Sequence, residues 1–149
     1  MHSMIRIRKM QPEDAHRVSE IEQICFSRPW SEKDLEEVAV KTDALYLVAE
    51  DTDAHDVAGY VGAYLILQEA DINQVAVAPA YRRCGIAMQL MQDFMQKVSA
   101  RGITEVTLEV RKSNSAAIAL YEKCGFQTEG IRKNFYEAPT EDACIMWKR

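Results

Sequence analysis

Between residues 72 and 110 the chain changes its apolar period twice, and this most narrows what it can fold into. Ile72–Ala78 is a short apolar run that stops at Pro79. After Arg82-Arg83-Cys84-Gly85, the residues Ile86, Leu90, Phe94 and Val98 recur at four-residue spacing, which predicts a helix over Gly85–Arg101, with Gly102 as its stop. From Thr104 to Val110 the period becomes two. Val106, Leu108 and Val110 share one face, and Glu105, Thr107 and Glu109 the other. A long one-sided helix between two strands buries its stripe against a sheet, which points to a mixed α/β domain.

The flanking sequence extends the pattern. Ile5 and Ile7 alternate with Arg6 and Arg8 in a short first strand. Pro12 stands where a helix begins, and Ala15, Val18, Ile21, Ile24 and Cys25 follow at helical spacing to an end near Phe26–Arg28. Ser31 with Asp34 resembles a capping box that opens a second helix to about Lys41. Leu45–Glu50 and Val57–Leu67, separated by the polar Asp51–Asp56 segment, read as an antiparallel pair. Ser115–Lys123 is a short helix closed by Gly125, and Phe126–Lys133 and Asp142–Lys148 form a final pair of strands. The expected order is β-α-α-β-β-β-α-β-α-β-β. The 149 residues are about one domain's worth, with no repeat or linker, so a single domain over 1–149 is expected.

Composition removes several function classes. A net charge of −5 argues against broad charge-driven binding of nucleic acid or membranes. Apolar runs of about ten residues fall short of the ~20 that a spanning helix needs. Met1-His2-Ser3-Met4-Ile5-Arg6 has no apolar signal region, and the 4 cysteines form no C-x-x-C pair, so reduced thiols in a cytoplasmic protein are expected. His2, His16 and His55 are scattered, so no metal is expected.

Arg82-Arg83-Cys84-Gly85-Ile86-Ala87 contradicts the acidic balance locally. The first N–H groups of a helix lack intrahelical partners and carry partial positive charge. Gly85 lets an anion approach the backbone, Ala87 leaves room, and the two arginines match phosphate oxygens. This is a pyrophosphate cradle, or a glycine-containing turn beside two solvated arginines.

The segment from Val75 to Ala87 resembles the acetyl-CoA motif V-x-P-x-x-R/Q-x-x-G-x-G/A of the GNAT superfamily of N-acyltransferases. Asn114 to Phe126 is similar to that family's N-x-x-A-x-x-L-Y-x-x-x-G-F helix. The resemblance spans nearly the whole chain and implies a mostly antiparallel central sheet. Pro29-Trp30-Ser31, Leu108-Glu109-Val110-Arg111-Lys112-Ser113-Asn114 and Arg132-Lys133-Asn134-Phe135-Tyr136 narrow it further. They are similar to bacterial ribosomal-protein-alanine N-acetyltransferases, which acetylate the N-terminal alanine of a ribosomal protein. Archaeal and eukaryotic N-terminal acetyltransferases share much of the pattern. Cys84 departs from the basic residue or glutamine of many relatives, which matters little where the contact is a backbone N–H.

The resemblance implies acetyl transfer from acetyl-CoA to an α-amine. Coenzyme contacts fall on Val75, Ala76, Val77, Arg82, Arg83, Cys84, Gly85, Ile86, Ala87, Met88 and Asn114. Glu109 matches the general base; the bare sequence equally allows a solvated strand carboxylate. Tyr121 matches the general acid that protonates the leaving thiolate; packing of a short helix is the other reading. Asn114 also suits a helix cap. Trp30, Phe135 and Tyr136 would flank the peptide N-terminus, or simply pack. Glu36, Glu37, Asp71 and Glu137 offer an acidic rim to a basic substrate. The expected partner is a ribosomal protein N-terminus rather than nucleic acid or membrane, with the enzyme a monomer or weak oligomer. Two competing readings stay open: a GNAT enzyme for a small amine or lysine side chain, and a non-catalytic acetyl-CoA-binding module.

Overall fold

The computed structural model describes residues 4–149. Residues 1–3, which carry His2 and half of the amino-terminal segment considered for a signal region, lie outside the described residues. The elements are β1 (Ile5–Lys9), α1 (Ala15–Cys25), α2 (Glu32–Ala39), β2 (Ala44–Asp51), β3 (Asp56–Ile66), β4 (Glu69–Val77), α3 (Ile86–Ala100), β5 (Glu105–Arg111), α4 (Ser115–Lys123), β6 (Gln127–Tyr136) and β7 (Glu141–Lys148). Their order is the expected one. Single 3-10 turns at Pro12–Asp14 and Pro79–Tyr81 precede α1 and follow β4.

One seven-stranded sheet has the order β1-β2-β3-β4-β5-β7-β6. Every neighbouring pair is antiparallel except β4 and β5. These two are joined by the α3 crossover, and a crossover returns the chain in the parallel sense. Apolar side chains from both sheet faces form two cores. Leu45, Leu47, Ala49, Val61 and Ala63 pack with Leu90, Phe94 and Val98 of α3 and Tyr121 of α4. On the other face Tyr46, Val48 and Tyr60 pack with Val18 and Ile21 of α1 and Leu35 and Val38 of α2.

β4 carries a bulge at the centre of the sheet. Gly62 pairs with Gln74 and Ala63 with Ile72, so Asn73 is the extra residue. Ala70 and Ile72 point into the α3 core before the bulge, and Val75 and Val77 pack against that core after it. A bulge bends and twists its strand. The ladder between β4 and β5 ends at the same point, covering only Glu69–Ile72 against Glu105–Leu108.

Some local details differ from the sequence expectation. Ile24, placed on the apolar stripe of α1, is 60% exposed, whereas Glu22 is fully buried. The stripe runs through Val18, Ile21, Glu22 and Cys25, and Ile24 falls on its flank. β4 starts at Glu69 rather than Ile72, because a tight hairpin pairs Ile66 with Glu69. β6 continues to Tyr136 rather than Lys133, past an irregularity between Arg132 and Tyr136. The Ser31 capping box forms as read: Ser31 Oγ accepts the Asp34 N–H at 3.1 Å.

Candidate active site

Beyond Ile72 and Leu108 the two central strands have no ladder between them. The Ala78 N–H donates to the Ala58 carbonyl at 2.8 Å. Successive peptide groups alternate in direction along a strand. Ala76 therefore turns its amide to β3, while the amides of Val75 and Val77 face the opening towards β5. Of the three residues expected to meet a coenzyme there, these two present backbone groups to it.

The Arg82–Met88 segment leads from β4 into α3. Arg83 and Gly85 have left-handed backbone angles, φ of 64° and 75°. Consecutive amides in such a turn converge into an anion-binding concavity. Gly85 is the N-cap of α3 and no side chain caps the helix. The N–H groups of Ile86, Ala87 and Met88 lie in the first turn, which has no intrahelical acceptors. Arg82, Arg83, Cys84 and Gly85 are exposed, and a methyl group on Gly85 would meet nothing within 4 Å. The room and the donors fit a pyrophosphate. Arg82 also donates to Cys25 Sγ at 3.6 Å, tying the cradle to the end of α1.

Glu109 projects from β5 on the face opposite the buried Val106, Leu108 and Val110. Its Oε2 is buried and 3.1 Å from Arg132 Nε, yet it accepts no hydrogen bond of good geometry. Burial raises the Glu109 carboxyl above its ordinary range; Arg132 opposes the rise and the nearby Asp71 adds to it. Such a carboxylate is a stronger base than a solvated one.

Tyr121, on α4, is 8% exposed and meets the Phe126 ring edge-on at 6.1 Å. Burial raises its phenol well above the ordinary value, so it holds its proton at neutral pH. Asn114 caps α4, its side chain accepting the Ala117 N–H at 3.2 Å.

Trp30 lies between α1 and α2, half-buried, with ring centroids 6.2 Å from Tyr46 and 6.4 Å from Tyr64. Gly62 makes room for the Tyr46 ring, because a Cβ there would come within 2.2 Å of it. The Tyr46 hydroxyl accepts from Asn73 at the β4 bulge, at 3.4 Å. Phe135 and Tyr136 meet edge to face at 5.0 Å at the end of β6. Arg132 stacks on Phe135 and Arg111 on Tyr136. The turn after β6 reaches across to the α1–α2 loop: Arg28 pairs with the Glu137 carboxylate, and Ser27 Oγ donates to the Glu137 carbonyl at 3.3 Å. Glu137, expected on an acidic rim, is thus engaged by an arginine.

Sequence reading missed Glu22, Tyr46, Tyr64, Asn73 and the pairing of Arg132 with Glu109. A glutamate on the apolar stripe of α1 was the available signal for the first. The others depend on pairings between distant strands. Among the described residues no group of three or more His, Cys, Asp or Glu is arranged to hold a metal. No helix among them is long and apolar enough to cross a membrane.

Comparison with known proteins gives this geometry a context. The model of the acetyltransferase (GNAT) family matches residues 15–126. The ribosomal protein bS18-alanine N-acetyltransferase of Escherichia coli is 36% identical over 145 residues, covering 96% of each chain. That of Haemophilus ducreyi is 36% identical over 137 residues, covering 90% of this chain and 92% of its own. The crystal structure of the ribosomal-protein-alanine N-acetyltransferase from Escherichia coli superposes with a TM-score of 0.89 at 33% identity, over 97% of this chain and 93% of that one. Ard1 from Thermoplasma volcanium gives 0.86 at 26% identity, over 97% and 96%. With a family model spanning three quarters of it and relatives matching from end to end, the chain belongs to the GNAT family of acetyltransferases.

Proposed function

We propose that this protein transfers an acetyl group from acetyl-CoA to the N-terminal α-amine of a ribosomal protein, at an alanine. The observation that carries the reading is the opening between β4 and β5, with the amides of Val75 and Val77 and the Glu109 carboxylate on the strands that border it. The named relatives carry the substrate class. On one side the Arg83–Met88 turn, Arg82 and Arg83 would hold the coenzyme's pyrophosphate, with Asn114 alongside. On the other, Trp30, Phe135 and Tyr136 would border the peptide.

Acetyl-CoA supplies an activated acetyl group, as a thioester. A free α-amine has a pKa of ~7.7–8.0 and arrives largely protonated. Glu109 takes that proton, directly or through a water, freeing the nitrogen lone pair to form the C–N bond. The N–H of Val75 or Val77 donates to the carbonyl oxygen as charge develops there. The C–S bond breaks as Tyr121 gives its phenolic proton to the leaving sulfur; the second proton shed by the acylated nitrogen restores the Tyr121 phenol through solvent, and Glu109 releases its proton to water. The raised carboxyl of Glu109 supports the base role, and Tyr121 carries its proton at neutral pH, the form a donor requires.

Mass spectrometry of a peptide beginning with alanine, incubated with the protein and acetyl-CoA, tests the reading. A single acetyl group on the free terminus, absent when that terminus is blocked, is expected. Acetylation of the blocked peptide would transfer the assignment to a lysine side chain or small amine. Binding of acetyl-CoA without turnover on any amine would leave a binding module.

A further inference from the structure

Glu22 is the one charged side chain of α1 at zero exposure, and the acyl-transfer steps do not use it. It is buried on the helix whose Val18 and Ile21 pack with Leu35, Tyr46 and Tyr60, where an ion is costly. Both of its oxygens are engaged. Oε1 accepts the backbone N–H of Trp30 at 2.8 Å, and Oε2 accepts the Tyr60 hydroxyl. One carboxyl group therefore joins α1, the central strand β3 and the α1–α2 loop.

The loop has few other anchors near Trp30. Its Ser31 box belongs to α2, and on the outside Arg28 meets Glu137 with side chains 78% and 60% exposed. A pair so exposed is screened by water and salt and holds little. The contact with Glu22 is buried, local and directional. Fixing the Trp30 peptide group also fixes where the indole starts, and the indole reaches Tyr46, whose hydroxyl meets the bulge residue Asn73. The chain of contacts thus runs from the core of α1 to the strand that borders the opening.

We propose that Glu22 is a positioning residue of the acceptor side: its buried carboxyl fixes the α1–α2 loop through the Trp30 N–H, and thereby sets the Trp30 ring where the peptide terminus docks. This rests on the acyl-transfer reading only for the identity of the ligand. Glu22 touches neither substrate and acts through Trp30.

The test compares three variants with the wild type, using an alanine-terminated peptide and acetyl-CoA. Glu22→Gln keeps an acceptor for the Trp30 N–H and should leave both KM values within about twofold. Glu22→Met fills the same space without a comparable acceptor. It should raise the peptide KM about tenfold, with the acetyl-CoA KM unchanged within about twofold. Tyr60→Phe removes the other partner and should lower the melting temperature without moving the peptide KM. Equal KM changes for both substrates in Glu22→Met, or an unchanged peptide KM, would overturn the proposal. Hydrogen exchange provides a measurement independent of turnover and of the folding of the Met variant. In wild type and Glu22→Gln the Trp30 amide should exchange at least tenfold more slowly than those of Ser27 and Arg28; equal rates would refute the anchor. An inactive wild type would refute the acyl-transfer reading alone, with exchange still deciding on the anchor.

Discussion

Replacing Glu22 by Gln should make the protein less sensitive to rising pH, and the size of the effect follows from the burial of that carboxyl. Burial pushes it from an ordinary value of 4.5 up to about 7, against the opposing Trp30 N–H. The folded chain then holds a proton at Glu22 that the unfolded chain has released. Stability from this group is therefore full below pH 4.5 and is lost as pH rises through about 7. At 1.36 kcal/mol per pH unit the whole effect is about 3 kcal/mol, with most of it falling between pH 5 and pH 8. The amide introduced by Glu22→Gln would carry no titrating proton, accept the Trp30 N–H and donate to the Tyr60 oxygen, so its contribution is flat. Two other carboxyls push stability the other way with pH. Desolvation lifts that of Asp14, but Arg8 and the Gln11 N–H lower it further, and Ser113 and Arg111 lower that of Glu141. Both proteins share them, so they cancel in the difference. For a chain of this size 1 kcal/mol is about 2–4 °C in Tm. Thermal unfolding followed by circular dichroism should show the Gln variant gaining about 5–10 °C on the wild type between pH 5 and pH 8. A Tm difference that stays constant across that range would refute the assignment of a protonated, buried Glu22.

Four further outcomes are expected. Glu109→Gln should lower kcat by ~10²–10⁴-fold while acetyl-CoA affinity, measured by calorimetry, stays within about twofold. The acidic limb of kcat/KM should lie above the ordinary glutamate range, and Arg132→Ala should move it higher, because Arg132 holds the Glu109 carboxyl down; a limb that moves down instead would contradict the pairing. Replacing Arg82 and Arg83 together by Ala should raise the acetyl-CoA KM with the peptide KM little changed, and the loss should shrink in high salt. Gly85→Ala meets no neighbour but forces a side chain onto a φ of 75°, so it should cost about 1–2 kcal/mol, read as a Tm lowered by about 2–8 °C.

The relation between charge and site is also resolved in particular residues. In this acidic chain Arg82 and Arg83 are left available to an anion: both lie exposed beside a helix start, outside the ion pairs that engage Arg8, Arg17, Arg28, Arg111 and Arg149. Part of the expected acidic rim is occupied internally: Arg28 engages Glu137, and Arg132 faces both Glu109 and Asp71.

The element order, the face on which Glu109 stands, the Ser31 box and the strand–glycine–helix turn are all legible in the amino-acid sequence. These depend on periodicity and on contacts within a few residues, which local backbone geometry dictates. Where β4 leaves β5 emerges only on folding. That depends on an extra residue, Asn73, and a bulge exists only relative to the strand it pairs with. The same holds for Arg132 on Glu109, for Trp30 between Tyr46 and Tyr64, and for Glu22 beneath Trp30. Each joins residues far apart in the chain or on different elements, and a charged residue on an apolar stripe becomes an anchor only once folding brings it the Trp30 N–H and the Tyr60 hydroxyl.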